Sequence, residues 1–224
     1  MWLILGLRVR TSYIDLYCER TSAEYWAEPL NAVTNIAFIV SAIAITVQLR
    51  RTSTGMAGLG SVWVLNGLVY CIGVGSWLFH THAVLWAMLA DIIPIAIFIL
   101  LYTWCALRKI VGTGPWLSFV GVGSVISITV LIQGLSGYKG GAYIAALLAL
   151  VSIGTWLQCR RAGSAGKALL WGAGLFTVSL AVRSLDHSVC GQITIGVHFV
   201  WHIFNSVVLF IVVCALIRHG HFRS

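Results

Sequence analysis

The chain has 224 residues, 59% of them hydrophobic and only 9% charged, with a mean hydropathy of +0.95. A water-soluble globule needs a far more polar surface, so soluble fold classes are excluded and an integral membrane protein is expected. The net charge of +8 is spread among loops rather than gathered in one patch, which argues against a nucleic-acid partner.

The opening MWLILGL is apolar for only seven residues before Arg8, too short for a signal-peptide core or a membrane span, and is expected to lie in the interface. An acidic segment follows, with Asp15, Glu19, Glu24 and Glu28 within fourteen residues. Such carboxylates either chelate a hard cation such as calcium or form a solvated segment that favours the N-terminus of the first helix. Seven apolar stretches then recur, near 31 to 49, 60 to 80, 84 to 106, 116 to 134, 140 to 158, 167 to 185 and 192 to 217. Crossing ~30 Å of hydrocarbon takes about 20 apolar residues in a helix, and the runs are continuous rather than alternating, so a seven-transmembrane-helix bundle is predicted instead of a barrel. Short connections and the lack of repeats give three regions: an outer N-terminal segment over 1–30, a membrane domain over 31–217, and a tail over 218–224.

Charge sets the orientation. Arg50, Arg51, Arg108, Lys109, Arg160, Arg161, Lys167, Arg218 and Arg223 fall in odd-numbered loops and the C-terminus, while Arg8, Arg10, Arg20, Lys139 and Arg183 fall on the other side. The positive-inside rule therefore predicts an external N-terminus and a cytoplasmic C-terminus. Cys18, before the first span, and Cys190, after the sixth, both then lie on the oxidising side, where a bridge between them is expected. Cys71, Cys105, Cys159 and Cys214 fall in or beside helices and read as small apolar residues.

Ionisable side chains inside hydrocarbon are costly and mark functional sites. His80 closes the second span, and His198 and His202 form an H-x-x-x-H pair at the start of the seventh, so alternating topology brings all three to the outer leaflet. Residues at i and i+4 share a helix face, and three imidazoles leave a tetrahedral zinc ion one open position for an acidified water. Asp91, about two turns into the third span, can take a proton from that water, orient a histidine, or bond another helix. Ser76, one turn before His80, can donate to an oxyanion or simply pack. Asn31, Thr34 and Asn35 continue the acidic segment as a polar ridge, which either joins helices or supports a site. His82 and His187 read as solvated loop residues, His219 and His221 as interfacial ones, and Arg183 and Asp186 as a mutual pair.

Four separated pieces, YCER, AEPLNAVTN, GSWLFH with Asp91 eleven residues later, and HFVWH, resemble the alkaline ceramidases, within the seven-helix zinc hydrolases that include the adiponectin-type receptors. The resemblance implies a zinc site at His80, His198 and His202 assisted by Ser76 and Asp91, and a calcium site near Asp15, Glu19 and Glu28. It also implies a disulfide from Cys18 to the segment holding Cys190. The implied activity is hydrolysis of the amide of ceramide or a related N-acyl lipid to a fatty acid and an amino lipid, with a membrane lipid as the substrate partner and no obligatory protein partner. Compact loops and short termini suggest a bacterial member, in the inner membrane with its site toward the periplasm. Two rival readings are a seven-helix receptor or sensor with a structural zinc, and a transporter using Asp91 and the histidines as a proton relay.

Overall fold

The computed structural model describes residues 13–52, 59–136, 140–160 and 163–221, all helical or irregular with no strand among them. The MWLILGL expectation and the charges Arg8, Arg10, Lys139, Arg161 and Arg223 lie outside the described residues. Among the described residues, seven helices are long and apolar enough to cross a membrane, and the chain is an integral multi-pass membrane protein.

The first span is broken into α1, Pro29–Thr34, and α2, Ile36–Thr52. Then come α3, Gly60–His82, α4, Leu85–Cys105, α5, Pro115–Ser136, α6, Gly141–Cys159, α7, Gly163–Val189, and α8, His198–His219. The last spans depart most from the hydropathy reading: α7 runs on to Val189 and α8 begins at His198 rather than near 192. Ile193 and Ile195 are apolar enough to extend a span, but Gly196 between them and α8 has φ +64°, a left-handed conformation that ends helical propagation.

Neighbouring helices pack in sequence, and the ring closes where α8 meets α2, while α5 contacts mainly α6 and α4. Some 67% of the apolar window of α8 is buried against 11% for α5, so α8 is the axial element and α5 is left largely to lipid. One half of the bundle is an apolar core in which Ile45, Leu49, Val62, Leu65, Leu169 and Leu216 are fully buried. In the other half, polar side chains enter the interior.

Two close approaches fix the geometry of that polar end. Gly75 of α3 packs on the backbone of α4, where an added Cβ would meet the Ala90 carbonyl oxygen at 2.1 Å. That carbonyl would ordinarily bond the N–H four residues on, but residue 94 is Pro94 and has none. The missing N–H and the missing side chain together let α3 and α4 touch beside Ser76 and Asp91.

Residues 13–28 fold across this end. The Cys18–Cys190 disulfide ties them to the far end of α7, as expected from the sequence. The Ile14 N–H also donates to the Ala83 carbonyl between α3 and α4 at 2.6 Å.

Candidate metal centre

His80 at the end of α3 and His198 and His202 at the start of α8 are each at most 2% exposed. One ring nitrogen from each lies within 4.8 Å of the others, the geometry of a three-nitrogen metal site. The expected convergence of helix ends is therefore met.

The rings are oriented by a shell of partners that sequence reasoning assigned to other roles. Glu28 Oε2 lies 2.6 Å from His80 Nδ1 and accepts from the Asn31 amide at 3.0 Å. Burial alone would raise the Glu28 carboxyl, but hydrogen bonds from His80, Asn31 and Arg20 outweigh it and hold the group below its ordinary value. An ionised Glu28 only accepts, so His80 donates to it from Nδ1, and Nε2 is the ring nitrogen left to face a metal. Thr34 Oγ1 does the same for His202. Its single proton goes to the Leu30 carbonyl at 2.7 Å, so at 3.0 Å it accepts from His202 Nδ1, leaving Nε2 to face a metal.

His198 is held differently. Tyr17 stacks on its ring with centroids 3.6 Å apart, and burial raises the Tyr17 phenol so that it remains neutral. The main-chain N–H groups of Val197 and His198 donate to Asp186 Oδ1 at 2.7 and 2.9 Å, and Asp186 Oδ2 accepts from the Cys18 N–H at 3.0 Å. Asp186 thus caps the N-terminus of α8 and pins the N-terminal segment to it, rather than pairing with Arg183. Arg183 instead lies over the rings of Tyr143 and Trp201, 5.0 and 5.7 Å from their centroids.

Ser76 and Asp91 face the same space. They line a small cavity with Tyr17, His198, His202 and Asn205. Two buried polar atoms here have no partner, His198 Nδ1 and Asp91 Oδ1. Unpaired buried nitrogen and oxygen are costly, so the donor set fits a bound cation and its water.

The acidic residues expected to hold calcium have other partners. Asp15 is exposed. Glu19 caps α1, its two oxygens accepting from the Leu30 and Asn31 N–H groups at 2.7 and 2.8 Å. Glu28 serves His80 and Arg20. Among the described residues these carboxylates form no three-donor cluster of their own, and calcium binding there is not shown. The polar ridge, left open between helix joining and site support, supports the site through Asn31 and Thr34. His82 and His187 are exposed, as read from the sequence, but they lie in the last turns of α3 and α7 rather than in loops.

The chain matches the Ceramidase family over residues 8–223. It belongs to that family. Membership makes it an amide hydrolase acting on a membrane lipid, and the buried histidine group suits a metal-dependent member. No curated protein matches the chain.

Proposed function

We propose that this ceramidase family member is a zinc-dependent intramembrane hydrolase that cleaves the amide of ceramide or a related N-acyl lipid. The observation that carries the reading is the set of three buried imidazoles, two of them with Nδ1 committed to an acceptor and Nε2 left as a donor. Three imidazole nitrogens suit zinc better than a hard cation, which would call for oxygens. Bound there, zinc supplies Lewis-acid polarisation of the amide carbonyl and acidification of a water.

The chain's own groups do the rest. Asp91 takes the proton of the attacking water on its unpaired oxygen and delivers it to the leaving amine nitrogen. Ser76, beside Asp91 in the same cavity, turns its hydroxyl toward the carbonyl oxygen as negative charge develops. A second, apolar cavity lined by Phe98, Tyr102, Leu150, Ile153, Val208 and Val212 receives the acyl chain. It shares Ile72, Ile95, Tyr143 and Asn205 with the reactive cavity, so an amide beside the histidines can send its tail into the bundle core. Substrate enters laterally from the bilayer. The positive-inside charge pattern supports an external N-terminus, which puts the site toward the periplasmic face if the chain resides in a bacterial inner membrane.

His202→Ala tests the reading. It should abolish both bound zinc and lipid amide hydrolysis in purified, folded protein, and a metal-free mutant with full activity would sink it.

A further inference from the structure

Arg20 is the unexpected residue of the polar end. A positive charge inside an acidic segment ought to reach for water, yet its side chain is 0% exposed. The guanidinium sits in a cage of oxygens. Nε donates to Glu28 Oε1 at 2.5 Å, Nη2 to the His80 carbonyl at 2.8 Å, and Nη1 to the Ser22 and Glu24 carbonyls at 3.1 and 3.3 Å. One carboxylate and three main-chain carbonyls make a donor set of the kind a hard cation takes. Here the chain fills it with its own planar fork of donors.

The cage is built around His80. Through Glu28, Arg20 fixes the carboxylate that orients the His80 imidazole. Directly, it bonds the His80 carbonyl in the last turn of α3, where carbonyls lack helical partners and a cation suits the helix dipole. A single guanidinium therefore holds one ring from both its side chain and its main chain.

We propose that Arg20 is a positioning residue that serves as a built-in cation for His80, so that neither metal retention nor hydrolysis requires calcium. The proposal rests on the reading of His80 as a metal ligand. In a folded metalloenzyme the loss of such an outer partner weakens metal binding about 10- to 100-fold. The vacated cage of Arg20→Ala should accept free guanidinium ion or calcium.

The test uses full-length protein in nanodiscs, with zinc per chain measured during competition by a chelator and hydrolysis of an N-acyl lipid measured in parallel. Wild type should keep its zinc and its rate whether calcium is added or removed with a calcium-selective chelator. Arg20→Ala should release zinc at about 10- to 100-fold lower chelator concentration, with guanidinium hydrochloride or calcium restoring retention, and Arg20→Lys should fall between. Three results overturn the proposal: a wild-type rate that requires calcium, an Arg20→Ala protein that retains zinc like wild type, or a loss that neither the lysine variant nor added cation repairs. His202→Ala run alongside separates the two readings. If that variant also keeps its zinc, the metal site itself is wrong; if it loses zinc while Arg20→Ala does not, only the role of Arg20 fails.

Discussion

The two ends of the bundle are stabilised by opposite means. Away from the site, Ile45, Leu49, Val62, Leu65, Leu169 and Leu216 are held by apolar contact, with tolerance for any side chain of similar shape. At the site, Glu28, Arg20, Asn31, Thr34, Asp186, His80 and His202 are held by directional bonds, each to a particular partner, and His198 by its main-chain N–H and the stacked Tyr17 ring. The first end builds the fold; the second spends fold stability on positioning, because every buried polar group there needs its partner to offset desolvation. The lesson is that damage at the two ends should separate in kind. Polar-end changes should alter metal retention and rate, and apolar-end changes should alter only stability.

Glu28→Ala is expected to have the largest effect. It removes the acceptor of His80 and leaves the Arg20 guanidinium buried without its carboxylate, and breaking a buried pair in this way costs roughly 3–5 kcal/mol. Zinc affinity and hydrolysis should each fall about 100-fold at temperatures where the protein stays folded, measured by chelator competition and fatty-acid release. Unchanged zinc affinity would remove the distinction between the ends.

Gly196→Ala should come next. The left-handed backbone there costs an alanine about 1–2 kcal/mol, and its Cβ would meet Asp186 Oδ1 at 2.2 Å and Cys18 Cβ at 2.8 Å. Displacing Asp186 loosens the start of α8 and with it His198. The expected result is a rate loss of roughly tenfold, about 1.4 kcal/mol, with the disulfide still formed on non-reducing gels.

Leu216→Ala gives the smallest effect on the site. Leu216 is 0% exposed in the apolar half, so truncation should lower stability by roughly 2–5 kcal/mol while zinc per folded chain and the rate below the melting transition stay at wild-type values. A selective loss of zinc in this variant would mean that the ends are coupled through the axial helix.

What the sequence made legible follows the same division. Apolar runs, the spacing of His198 and His202, and the positions of Cys18 and Cys190 depend only on period and topology, and the spans, the histidine group and the disulfide are all found. The partners of Glu28, Arg20 and Asp186 depend on how aperiodic segments fold back over helix ends, which neither period nor hydropathy encodes. Glu28 read as a possible calcium ligand from its acidic neighbours and the family resemblance, while the partners it bonds, Arg20 and His80, lie 8 and 52 residues away along the chain. Asp186 read as the partner of Arg183 because the two share a helix face, but its Oδ1 is spent on the N–H groups that follow Gly196 and its Oδ2 on the Cys18 N–H. Thr34 carried a visible signal. Its place on a polar ridge of an otherwise apolar span marked it, though not the ring it faces.

The central claim is tested most directly by titrating purified wild-type protein with a zinc chelator while following bound metal and release of fatty acid from an N-acyl lipid in the same sample. The account predicts about one zinc per chain, with hydrolysis falling in proportion to zinc removed and returning when zinc is restored. Full hydrolysis by metal-free protein would contradict it.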